Sequence, residues 1–111
     1  MKVTVRHREG VSILDLKGKI TIGVGDVAMR EAVTGALDAG STNILLNLKG
    51  VTTIDSSGVG ELVSSYTTVT NRGAKLKVVN IPPKVSDILQ ITQLVTVFDV
   101  YEDEDEAIAS F

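Results

Sequence analysis

The residues best placed to do chemistry in this chain lie in one stretch, Thr53-Ile54-Asp55-Ser56-Ser57-Gly58-Val59-Gly60-Glu61-Leu62. A carboxylate, two hydroxyls and two glycines stand where an apolar run gives way to helical spacing. The first backbone N–H groups of a helix have no partner within it, and they gather at its positive dipole end. Asp55, Ser56 or Ser57 could cap those groups, with Gly58 and Gly60 keeping side chains clear. Such a terminus is also an anion site. A phosphate esterified to one of the hydroxyls would meet donors there, and would add roughly −1.5 to −2 charges beside Asp55 and near Glu61. A fold can tolerate that charge while a docked partner is repelled by it, which is the physics of a phosphorylation switch. Two serines in an ordinary capped helix start satisfy the same spacing.

Little other chemistry is open to the chain. It has no cysteine, which excludes disulfides, thiolate zinc sites and a cysteine nucleophile. One histidine cannot make a His-clustered metal site, and Ser56 lacks a histidine base, because His7 falls on a predicted strand. Gly23-Val24-Gly25-Asp26-Val27-Ala28 fits the G-x-G-x-x-(G/A) dinucleotide fingerprint, but the residues about 20 positions on read Leu48-Lys49-Gly50, with no acid for a ribose. A flexible loop leading into a capped helix accounts better for these glycines. No P-loop motif occurs, so no cofactor is expected, and any ATP belongs to a partner.

The elements that must hold the Asp55 segment are legible from periodicity. Val3–Arg8 and Val11–Leu16 alternate with period two about Glu9-Gly10 and predict a hairpin. Asp26 is a candidate N-cap for a helix running to about Gly40, with Met29, Val33, Ala36 and Leu37 on one face. Ile44–Leu48 is nearly continuous in apolar character, as in a central strand covered on both faces. After Gly58, Val59, Leu62, Val63, Tyr66 and Val69 keep helical spacing up to Asn71-Arg72-Gly73. The Ser64-Ser65 and Thr67-Thr68 pairs read as its polar face. Lys75–Val79 alternates as a strand with its lysines outward, and Pro82-Pro83 opens a short helix buried through Val85, Ile88 and Leu89. Thr96–Tyr101 is another strand. Strand and helix alternate throughout, which predicts an α/β fold: a mixed sheet flanked by about four helices.

Charge is distributed unevenly. All 11 basic residues and 9 of the 14 acids precede Glu102, and Glu102–Glu106 then contribute five carboxylates in a row. At the start of a terminal helix docked by Ile108 and Phe111 they suit its dipole, and a solvated helix start is expected. No basic stripe suggests nucleic acid, and no apolar run reaches the roughly 18–20 residues of a membrane span. A soluble, cytoplasmic protein is the expectation, and nothing demands an oligomer, so a monomer is expected.

Asp55-Ser56-Ser57-Gly58-Val59-Gly60 resembles the signature of the STAS domain, specifically of bacterial anti-sigma-factor antagonists. Gly18-Lys19-Ile20, the strand Ile44–Leu48, Asn71-Arg72-Gly73-Ala74-Lys75-Leu76 and Ile91-Thr92-Gln93-Leu94 follow in that family's order. The similarity covers residues 1–111 as one domain. It implies a protein that is not an enzyme but binds an anti-sigma factor that is also a serine kinase, a GHKL-type ATPase. Phosphorylation of the first serine after the aspartate then releases the pair, and a PP2C-type phosphatase reverses it. Carried over, Ser56 is the phosphoacceptor, with Ser57 the second choice, and Asp55, Ser57 and Gly58 shape the docking surface. A bulky residue at Gly58 is expected to block docking more than it disturbs folding. Many antagonists carry an acid three positions after the glycine that ends the second strand; here that position is Thr21, which keeps a place in the partner surface as a hydroxyl. The alternative within the same fold is a scaffold or regulatory subunit of a sensory complex or lipid-transport system, with no phosphoswitch.

Overall fold

The computed structural model describes residues 1–91 and 98–111, with backbone alone over 89–91. β1 (Lys2–Arg8) and β2 (Val11–Ile20) form the hairpin, with Arg8 opposite Val11 and Lys2 opposite Lys17. Glu9 (φ 49°) and Gly10 (φ 78°) are both left-handed, as a two-residue type I′ turn requires. Gly18 does not end β2. It stands at φ 114° beside a shift in register against the third strand, and the strand runs on to Ile20. The expected strand end is therefore a bulge, in a conformation that favours glycine.

Next come α1 (Gly25–Asp38), β3 (Asn43–Ile54), α2 (Ser56–Asn71), β4 (Lys75–Val79), α3 (Pro83–Ile91), β5 (Asp99–Tyr101) and α4 (Glu104–Ala109). The strands lie in the order β1-β2-β3-β4-β5, the first pair antiparallel and the other three parallel. This is the mixed sheet with four helices that the pattern predicts. Thr92–Leu94, the first residues of the expected strand at Thr96 and Val97, and the side chain of Leu89 lie outside the described residues.

The sheet is covered on both faces. On one, Leu14, Leu16, Ile44, Leu46 and Leu48 pack under Met29 and Val33 of α1, Leu62 and Val69 of α2 and Val85 of α3. On the other, Val11, Ile13, Leu45 and Val79 meet Ala107 and Ile108 of α4, with Phe111 against them. Leu45 faces one way and its neighbours the other, which is why the β3 sequence is apolar without alternation.

Helix ends follow simple rules. α1 closes with Gly40 at φ 97°, where the Gly40 and Ser41 N–H groups donate to Leu37 and Ala36 carbonyls at 3.0 Å. α2 ends the same way at Gly73. The start of α1 differs from expectation: its N-cap is Val24, without a side-chain cap, and Asp26 is already inside the first turn. The cause is Gly25. A Cβ there would overlap the Lys19 carbonyl and lie 2.7 Å from Ile20 Cα, so the helix begins at the one residue able to press against the end of β2.

Three polar residues depart from their expected exposure. Lys77 is only 8% exposed; its ammonium donates to the Ser110 carbonyl and hydroxyl at 2.9 Å and lies 5.0 Å from the Phe111 ring centre. Alternation along β4 does place it opposite Leu76 and Val78, but α4 covers that side. Ser65 belongs to the core face of α2, not to its polar face, and its hydroxyl is buried without a hydrogen-bond partner among the described residues. Glu104, in the acidic run, is half-buried: it accepts from Arg6 and Arg8 of β1, while Arg6 also forks onto Asp15. The run thus ties the terminal helix to the first strand, through partners 96 and 98 residues apart in sequence.

Candidate functional site

β3 delivers its last residue, Ile54, into the core, and Asp55 turns the chain into α2. Asp55 has extended backbone and is the N-cap, with its Oδ1 accepting from the Gly58 N–H at 2.9 Å. Of the three capping residues the sequence allows, the aspartate takes the role. Its Oδ2 accepts from the Ile22 N–H at 3.0 Å, so one carboxylate holds both the start of α2 and the loop between β2 and α1. These two backbone donors, Gly58 first, hold the Asp55 carboxyl below its ordinary range.

Ser56 and Ser57 are the first two residues of α2, not part of a loop before it. Ser56 is exposed and Ser57 half-buried. The Gly58 amide is already taken by Asp55, so a phosphate on Ser56 would stand outside an occupied cap, next to a carboxylate, rather than fall into waiting donors. What it would change is the outward face of the helix start.

Gly58 corrects an expectation. It is buried under the first turn of α2, and a Cβ there would overlap the Ile20 carbonyl, 2.6 Å from Ile54 Cγ1 and 2.9 Å from Ile20 Cγ2. The glycine is required by the close approach of helix and strand, so a side chain there acts on folding first. Gly60, by contrast, is exposed with open space around it. Thr21 lies half-buried just beyond β2, and its carbonyl accepts from the Asp26 N–H at 3.2 Å in the first turn of α1.

Sequence reasoning missed the apolar part of this surface. Ile22 is 72% exposed and Val24 65%, the two most exposed large hydrophobic residues described, and both sit in the loop pinned by Asp55. The signal available was faint: two apolar residues alternating with Gly23 and Gly25 in a stretch read as strand end and loop. Glu61 was legible near the serines, but the approach of Asp26 and Arg30 to it was not. Glu61 lies one turn after Ser57 on α2, its carboxylate 3.9 Å from Arg30 of α1, and Asp26 acts on it electrostatically from the same helix. Burial pushes the Glu61 carboxyl up, Arg30 opposes that, and Asp26 adds to it. The position of Thr21 carries no acid, but Asp26 and Glu61 supply two at the seam of α1 and α2.

The architecture has counterparts. The anti-sigma F factor antagonist of Paenibacillus polymyxa is 24% identical over 108 residues, covering 97% of this chain and 92% of that protein. An anti-sigma factor antagonist from Mycobacterium paratuberculosis has a similar structure, with a TM-score of 0.85 and 22% identity over 98% of this chain and 92% of that one. Bacillus SpoIIAA in its phosphorylated form matches at a TM-score of 0.72 with 20% identity, covering 98% of both chains. At such identities the structural likeness is one of fold. No helix among the described residues is long and apolar enough to cross a membrane. The model of the STAS domain matches residues 2–107, and the chain belongs to that family.

Proposed function

We propose that the protein is an anti-sigma factor antagonist, a binding protein that docks an anti-sigma factor through the surface around the start of α2. The observation that carries this is the exposed Ser56 hydroxyl at the first position of α2, flanked by the exposed Ile22 and Val24 on a loop that Asp55 fixes to the same helix. The apolar pair gives a partner area to bury, and the serine gives it something to modify. The anti-sigma factor acts as a serine kinase, moving the γ-phosphoryl group of ATP onto Ser56 Oγ; the serine proton is lost and ADP leaves. The new dianion stands beside Asp55, whose carboxylate is held ionised, so the partner meets negative charge where it had met a neutral hydroxyl. A phosphatase restores the hydroxyl. Relatives named as antagonists over nearly the full chain, and a phosphorylated form of one fold neighbour, support this reading.

The test is incubation with ATP and the serine-kinase anti-sigma factor encoded in the same genome, followed by intact-mass measurement. One phosphoryl group is expected on the wild type and on Ser57→Ala, and none on Ser56→Ala. Ser56→Asp is expected to bind the kinase more weakly than wild type while melting at a similar temperature, since an acid at a helix start suits the dipole. An unmodified wild type that instead binds a transporter or sensory-complex subunit would replace this reading with that of a scaffold.

A further inference from the structure

The face of the sheet that carries α4 is covered only in part. α4 lies over Val11, Ile13, Leu45 and Val79, and leaves the Lys17–Gly50 end of β2 and β3 open. A concavity of about 350 Å³ lies there, lined among others by Lys2, Thr4, Lys17, Asn47 and Lys49. Three features mark it as built for negative charge. First, Lys2 and Lys17 are direct cross-strand partners, an arrangement of like charges that costs stability unless something lies between them.

Second, Lys49 reaches the same concavity because of a bulge. Asp15 pairs with Asn47 and Lys17 with Gly50, so Leu48 and Lys49 together face Leu16 alone. Third, Arg6 and Arg8 on this face are held by Asp15, Glu104 and Asp105, and Lys77 is buried under α4 against the Ser110 carbonyl and hydroxyl. Lys2, Lys17 and Lys49 have no carboxylate partner among the described residues, and the one acid lining the concavity, Asp15, is already taken by Arg6 and Asn47.

We infer that Lys2, Lys17 and Lys49 form a binding site for a small soluble oligophosphate, separate from the Ser56 surface and on the opposite face of the same β2–β3 pair. Phosphate oxygens suit it because ammonium groups bind phosphate as point charges without fixed geometry, and several phosphate groups are needed to meet three cations. The Thr4 hydroxyl is a further donor on the lining.

Calorimetric titration with sodium tripolyphosphate at physiological ionic strength tests the site on the whole protein. Saturable one-to-one binding is expected, and the double variant Lys17→Gln/Lys49→Gln is expected to bind about tenfold more weakly or worse. Lys75→Gln/Lys84→Gln, which removes the same charge from exposed positions elsewhere, is expected to bind as wild type does. All four lysines are exposed, so both variants fold, which their melting curves verify. Equal weakening in the two double variants, absence of saturable binding, or binding to vesicles of anionic lipid without binding of tripolyphosphate would each overturn the inference.

Discussion

Replacing Gly58 with alanine separates a steric role from a docking role. The added methyl would overlap the Ile20 carbonyl oxygen and lie well inside van der Waals distance of Ile54 Cγ1 and Ile20 Cγ2. The carbonyl belongs to the end of β2, where it also accepts from the Asp55 N–H at 3.3 Å, so it cannot easily retreat. The first turn of α2 must lift instead. Overpacking of this kind costs about 1–3 kcal/mol. Lifting the turn also loosens the bond from the Gly58 N–H to Asp55, a cap interaction worth about 1 kcal/mol. Alanine returns about 1 kcal/mol in helix propensity. The sum is a loss of about 1–3 kcal/mol. The control is Gly60→Ala, two residues on in the same helix, where a methyl meets nothing within 4 Å and stability should rise by about 0.5–1 kcal/mol. Urea denaturation of the two variants, read as midpoint shifts at unchanged slope, should thus give opposite signs. If Gly58→Ala unfolds within about 0.5 kcal/mol of wild type, the packing argument is wrong and the glycine serves the partner surface alone.

Other consequences are equally direct. Asp55→Ala strips the acceptor from both the Gly58 and Ile22 amides and should cost about 1–2 kcal/mol, with Asp55→Asn costing less. Because the Asp55 carboxyl is depressed when folded, its contribution is complete above the ordinary aspartate range near about pH 4 and is lost as pH falls through the folded value. The stability gap between wild type and Asp55→Ala should therefore close in acid. Glu61 works the other way: its carboxyl is raised by burial, so the folded state binds the proton more tightly and stability falls as pH rises through that range. Glu61→Gln should accordingly match wild type in acid and exceed it at neutral pH, as thermal melts at several pH values would reveal. Ser65→Ala removes a buried hydroxyl that has no partner among the described residues and should stabilise by about 1 kcal/mol in the same urea assay, whereas an equal loss would mean the hydroxyl is satisfied.

The mechanics of the site follow from how few atoms join it. One carboxylate links the end of β3, the start of α2 and the loop after β2. The two glycines that allow this, Gly25 and Gly58, let α1 and α2 press their first turns onto the carbonyls of Lys19 and Ile20 at the end of β2. Both helix starts are thereby brought to one end of the sheet. The exposed groups there, Ile22, Val24 and Ser56, are mounted on a fixed base. A partner can bury the apolar pair without having to order the loop, which lowers the entropic cost of docking.

Local chemistry wrote much of this into the chain. The hairpin, the helix from Val59 to Asn71, the glycines at 40 and 73 and the Asp55 cap all depend on residues a few positions apart, and such short-range rules can be read one segment at a time. Even the candidate serine is legible there, because a hydroxyl after a capping aspartate is a local feature. Periodicity, however, says which residues share a face and not what lies over that face. Lys77 alternates correctly and is still buried, because α4 returns to cover it; Ser65 shares the helical stripe of Leu62 and Val69 and goes into the core with them. The reach of Glu104 to Arg6 and Arg8 and the contact of Gly58 with Ile20 depend on strands and helices distant in sequence meeting in space. The amino-acid sequence alone therefore determined where a phosphate could be placed. Only the packing of α1 and α2 on the end of β2 decided which neighbours it would have, since burial and contact are properties of the assembled layers.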